Sequence, residues 1–200
     1  MRTLSYIAAA RSTYLYLNAI FRIVIPLLFV LPVVSIYLAL KETARKSVLL
    51  ATGLASLSLI GTIALAQIGY SLVGLSDQFT KASSEAEKAA AVASAGSMIR
   101  TLGIGEGLSG ILLFLWILIV SLVFRSRNLF RPWVAFLGVF AAAVPLIGSV
   151  TILVTIVGMS WSAFFYSYLI FTGFFFVLLV WSGVLGYNLY RMGTKKAAYS

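Results

Sequence analysis

Apolar and polar positions alternate along this chain on a scale set by where charge is missing. Marking every Asp, Glu, Lys and Arg leaves four long uncharged stretches: Ile23–Leu40 (18 residues), Ser47–Ser76 (30), Gly107–Phe124 (18) and Pro132–Tyr190 (59). About 20 apolar residues at 1.5 Å each cross the hydrocarbon core of a bilayer as one helix, so each of the first three predicts a single span. The fourth is too long for one helix and, once turns are allowed for, too short for three. It predicts two, with the break at Gly158–Ser162, where GMSWS is small and polar with one interfacial aromatic. The helix from Trp133 to Trp161 would then measure roughly 42 Å, close to the headgroup-to-headgroup thickness. The expectation is an all-α, single-domain membrane bundle of five transmembrane helices over 20–40, 47–72, 105–125, 132–157 and 163–190.

The one sizeable polar stretch joins spans two and three, and it predicts an outer amphipathic helix over 77–103. Ser84 and Glu87 have the spacing of a capping box, in which the hydroxyl accepts from the amide three residues on and the carboxylate reaches back. Glu85 and Glu87 also favour the positive end of a helix dipole. Val92, Ala95, Ile99 and Leu102 recur at helical spacing and give that helix an apolar face. Upstream of span one, Arg11 ends the LSYIAAA run too early for a secretory leader, so residues 4–20 predict an interfacial helix or an extension of the span. Pro26 and Pro32 predict kinks within it.

Composition narrows the chemistry. The chain is 62% hydrophobic and 10% charged, against roughly 45–50% and 25% in soluble proteins. With neither His nor Cys present, imidazole and thiolate chemistry, disulfides and Cys/His metal sites are excluded, and no cofactor or metal is expected. The net charge of +10 falls into clusters that abut span ends, where it sets topology and attracts anionic lipid rather than nucleic acid. Nine basic residues (Lys41, Arg45, Lys46, Arg125, Arg127, Arg131, Arg191, Lys195, Lys196) fall on one side and six on the other. By the positive-inside rule the N-terminus is outside and the C-terminus cytoplasmic, in a multi-pass protein of the cell membrane.

GLSDQF at Gly74–Phe79, SSEAEKAAAVASAG at Ser83–Gly96, SLVFRSRNLFRPWVAFLGVFA at Ser121–Ala141 and the close on Tyr190, Arg191, Met192 and Gly193 carry a resemblance. The chain resembles a family of small prokaryotic polytopic membrane proteins classified as a domain of unknown function, over residues 45–193. The resemblance implies a helical membrane bundle and supplies no activity, cofactor or catalytic residue.

Two constellations stand out. Ala51, Ala55, Ser58, Thr62, Ala66 and Gly69 recur at steps of three and four, placing six small residues on one face of span two; such faces allow close helix approach, within the chain or with a partner. Arg22, Gln67, Asp77, Arg100 and Glu106 form a candidate outer polar cluster, in which Arg22 and Glu106 could pair across spans one and three or snorkel to the interface. GEGLSG at Gly105–Gly110 matches a dinucleotide-binding pattern but lacks the strand and βαβ unit that chemistry needs, so its glycines are expected to loosen the start of span three or to admit another helix. Aromatic residues from Phe164 to Phe176 suit lipid contact, or stacking against an apolar ligand.

Enzymatic work is disfavoured, because acid and base groups with shifted pKa must converge on a pocket and the outer carboxylates offer little material. Spans two, four and five hold no ionisable Asp, Glu, Lys, Arg or His, which disfavours ion-coupled transport. The expectation is a non-catalytic accessory or self-associating bundle, with membrane lipids and a second copy or another membrane protein as partners. The alternative is a small uncoupled permease or channel-like protein for an apolar or neutral solute, lined by span one, Gln67, Ser58 and Thr62.

Overall fold

The structure, a computed structural model, describes residues 2–158, 180–188 and 190–191. Helix α1 (Arg2–Ala9) is followed by α2 (Arg11–Ala19), a π-helical turn (Ile20–Val24) and α3 (Ile25–Leu40); α4 (Arg45–Lys81), α5 (Glu85–Ser126) and α6 (Pro132–Gly158) complete the named elements. Among the described residues, four stretches are long and apolar enough to cross a membrane: Arg11–Leu40, Arg45–Lys81, Glu85–Ser126 and Pro132–Val150. The expected fifth span, 163–190, lies outside the described residues except for helical residues 180–188 and 190, and the expected aromatic face at Phe164–Phe176 lies wholly outside them, as do residues 159–162 of the expected break.

The region expected to be one outer helix over 77–103 is divided instead. Residues 77–81 continue α4, a turn at 82–84 reverses the chain, and α5 then runs unbroken from Glu85 through the third span to Ser126. The turn sits where the capping box starts a new helix: the Ser84 hydroxyl accepts from the Glu87 amide (3.2 Å), and the Glu87 carboxylate accepts from the amides of Ser83 (2.8 Å) and Ser84 (3.3 Å). Gly103 to Gly110, expected either to loosen the start of the span or to admit another helix, lie inside α5, and at Gly105 and Gly107 side chains of neighbouring helices approach closely. A Cβ at Gly105 would stand 2.5 Å from Leu65, and one at Gly107 would stand 2.7 Å from Leu153.

Registers follow from such contacts. Gly61 and Ser109, and Leu65 and Gly105, face each other across α4 and α5, while Ser121 and Gly138, and Gly107 and Leu153, do so across α5 and α6. Both pairs of helices are therefore antiparallel, with α5 between its neighbours. Its large side chains Trp116, Ile117, Val120 and Phe124 fill the core against small ones, Ala51 and Ala55 of α4 and Ala141 and Ala142 of α6. Dense contact of this kind holds helices together where lipid offers no hydrophobic drive. Trp181 of the last helical segment meets Trp116 edge-on, with ring centroids 6.2 Å apart.

Residues 4–20 form two helices rather than one. Helix α1 lies on the outer part of the hairpin, where Leu4 and Ile7 pack with Leu72, Val73, Ala91 and Ala95, and the Ser76 hydroxyl donates to the Leu4 carbonyl at 3.1 Å. Helix α2 extends span one. Between α2 and α3 the Ile25 amide donates to the Ile20 carbonyl five residues back, the mark of a π turn. Its place is explained by Pro26, which brings no amide to the Arg22 carbonyl and whose ring crowds that turn, so the helix widens ahead of it. Helix α3 continues through Pro32. At the far end of the bundle, Asn128 adopts φ 50°, a left-handed conformation that asparagine tolerates, and Pro132 opens α6 with its φ already suited to a helix.

Candidate functional site

The π turn carries Arg22 toward α5. Arg22 donates from Nε to Glu106 Oε1 at 3.1 Å, its Nη2 makes a second contact to the same oxygen, and its Nη1 donates to Asn18 Oδ1 one turn earlier on α2. Asn18 is buried and donates from Nδ2 to the Ala66 carbonyl of α4 at 3.1 Å. One continuous polar chain, Glu106–Arg22–Asn18–Ala66, thus joins three long helices. Its ion pair is half-buried, with side-chain exposures of 17% for Arg22 and 35% for Glu106, so solvent screens it less than a surface pair.

The height of this chain in the bundle is informative. Arg22 directly precedes the uncharged stretch Ile23–Leu40, Glu106 directly precedes Gly107–Phe124, and Ala66 is the twentieth residue of the uncharged stretch Ser47–Ser76. Runs of 18, 20 and 18 residues therefore separate the polar chain from the basic clusters at the opposite helix ends, a distance of about 27–30 Å at 1.5 Å per residue. That matches one hydrocarbon thickness.

The other expected members of the polar cluster separate. Asp77 pairs with Arg11 at 2.9 Å, tying the end of α4 to the start of α2. Gln67 and Arg100 are exposed and do not join either pair. Of the small-residue face, Ala51, Ala55, Ser58, Ala66 and Gly69 are buried inside the chain and Thr62 is half-buried. The Ser58 hydroxyl donates to the Ser109 carbonyl of α5 at 2.7 Å, and Thr62 donates to the Ser58 carbonyl at 2.9 Å. The face packs α4 against its own neighbours. Asn18 and Arg11 escape a search for charge within apolar stretches, since one is uncharged and the other lies upstream; the signal for Asn18 is its spacing of four residues from Arg22.

Beyond the polar chain, α4 and α5 continue as a helical arm, Gln67–Lys81 and Glu85–Gly105, covered on one side by α1. An open groove of about 520 Å³ near its tip is lined by Leu75, Asp77, Gln78, Lys81, Ala82, Glu87, Ala90, Ala91 and Ser94. Hydrogen bonds from the Ser83 amide, the Ser83 hydroxyl and Ser84 hold the exposed Glu87 carboxyl below the ordinary carboxylate range. Among the described residues no group of three carboxylates gathers where a metal could bind. No family model, curated protein or solved structure matches the chain.

Proposed function

We propose that the protein is a non-catalytic, multi-pass membrane bundle of five spans that acts by association, as an accessory subunit or with a second copy, and that the helical arm is the part that meets the partner. The observation that carries this is the clamping of the arm. If the 27–30 Å between polar chain and basic clusters is the hydrocarbon layer, the arm extends roughly 20–30 Å beyond it at 1.5 Å per residue. At its base it is tied by Arg22–Glu106 and Asn18–Ala66, and along its side by Arg11–Asp77 and by α1. Ordered, mixed-charge surface of this kind suits recognition, because its binding does not require ordering a flexible loop. The arm faces outside and the C-terminus the cytoplasm, in keeping with the positive-inside count. We infer further that the protein is a member of the prokaryotic domain-of-unknown-function family that its sequence resembles.

The natural absence of cysteine makes the test direct. A single Cys replacing Lys88 should react with a membrane-impermeant thiol reagent applied from outside, and photo-crosslinkers at Ser97 and Gln78 should give discrete products in native membranes, whereas one at Leu57 should give only lipid adducts. Arm positions that yield no discrete product would remove the association role. The alternative, a small uncoupled permease, draws on the π turn ahead of Pro26 as a flexible element; a water path would show as thiol reactivity at mid-depth in spans one and two. Its expected lining is divided, with Ser58 bonded to Ser109 and Gln67 exposed.

A further inference from the structure

The two ends of the bundle treat their charges differently. Among the described residues the three salt bridges, Arg11–Asp77, Arg22–Glu106 and Lys88–Glu85, all lie on the side of the arm. At the opposite end, the turns between α3 and α4 and between α5 and α6 bring together Lys41, Arg45, Lys46, Arg125, Arg127 and Arg131 with Glu42 as the one carboxylate. Among the described residues none of these six cations is in a salt bridge. Four of the five Asp and Glu side chains of the chain lie at the other end, so cations are in excess at this one.

Between the start of α4 and the end of α5 at this end lies a groove of about 410 Å³, lined by Ser47, Ile119, Leu122, Val123, Arg125 and Ser126. It has two unlike parts. Ile119, Leu122 and Val123 make an apolar wall, and Leu122, together with Leu49 and Leu50 of α4, is more than half or about half exposed toward the surroundings of the bundle. At the rim, the Arg125 guanidinium lies over the Phe136 ring at 4.7 Å from its centroid, a cation–π contact that positions the cation beside the groove. The Ser47 side chain is exposed beside it. A basic rim above an apolar wall, between two helices at a membrane-facing end, matches an amphiphile with a negative head.

We propose that this groove binds an anionic phospholipid, its phosphate held by Arg125 and the Ser47 hydroxyl and an acyl chain lying along Ile119 and Leu122. The site stands apart from the association role of the arm and is tested apart from it. The full chain, purified in detergent, is titrated with phosphatidylglycerol, with phosphatidylcholine, and with inorganic phosphate, and bound lipid is counted by native mass spectrometry. Phosphatidylglycerol should be retained at least about fivefold over phosphatidylcholine, as expected for one basic contact worth about 1 kcal/mol. Arg125→Gln should abolish that preference, and Ser47→Leu, which fills the rim, should weaken retention of the anionic lipid. Arg100→Gln, an exposed cation on the arm, should change neither. All three positions are exposed, and helix content by circular dichroism confirms that the variants are folded. Equal retention of the two lipids, an Arg125→Gln variant that behaves like Arg100→Gln, or inorganic phosphate displacing the lipid completely would each overturn the proposal.

Discussion

The Asn18 carboxamide occupies the space that a side chain at Gly69 would need: a Cβ built there would stand 2.6 Å from Asn18 Cγ and 2.9 Å from its Nδ2. Glycine at this one position lets a polar side chain of α2 lie against the backbone of α4 and reach the Ala66 carbonyl. Gly69→Ala should therefore displace Asn18 and lower stability by about 1–3 kcal/mol, the usual range for overpacking. Gly53→Ala, where nothing stands within 4 Å, should be neutral or stabilising by up to about 1 kcal/mol through helix propensity. Thermal unfolding of the two variants in detergent separates these outcomes; equal midpoints would remove the constraint.

The Arg22–Glu106 pair should behave as a coupled unit. Glu106→Gln leaves a largely buried guanidinium with a weaker acceptor and should cost about 1–3 kcal/mol. Arg22→Gln with Glu106→Gln should cost less than the sum of the single changes, with a coupling on the order of 0.5–3 kcal/mol. A double-mutant cycle measured by unfolding in detergent would read zero coupling if the two side chains stood independently in solvent.

At the tip of the arm, Ser84→Ala removes the acceptor for the Glu87 amide and should cost about 1 kcal/mol of local helix stability. The pH dependence has a definite sign. The Glu87 carboxyl is held low by its hydrogen bonds from Ser83 and Ser84, so its contribution is present at neutral pH and is lost as pH falls through that depressed value. A spin label at Ala86 should stay immobile on acidification through the ordinary glutamate range and become mobile below it. Mobility that rises already within the ordinary range would contradict the hydrogen-bonded carboxylate.

Ala55 is fully buried among its own neighbours. Ala55→Leu should lower stability by about 1–3 kcal/mol and reduce yield of folded protein, while Ser56→Leu, one position round the helix and exposed, should do neither. If Ala55→Leu left the fold intact and altered only crosslinking between copies, the small-residue face would have to be an intermolecular surface.

Much of the bundle is legible in one dimension because a bilayer imposes a linear demand: Ile23–Leu40, Ser47–Ser76 and Gly107–Phe124 each lie within a long apolar helix. The capping box at Ser84 and Glu87 is legible for a similar reason, since four consecutive residues contain it. The continuity of α5 is not. Glycine costs a helix about 1 kcal/mol relative to alanine, and the side chains that offset this at Gly105 and Gly107, Leu65 and Leu153, stand some forty residues away along the chain. Local pattern carries no trace of them. The polar chain is legible in part: Arg22 and Glu106 announce themselves as charges at the margins of apolar runs, whereas Asn18 acquires its role only when the π turn and the bare backbone at Gly69 bring α2 onto α4.

Helix α5 runs without interruption from the capped turn at Glu85 to Ser126, beside the basic rim at Arg125. Its 42 residues make a rod of about 63 Å, long enough to have one end in each of the two aqueous compartments that a membrane divides. A load that tips one end of the rod is passed to the other, because α5 has no intervening break.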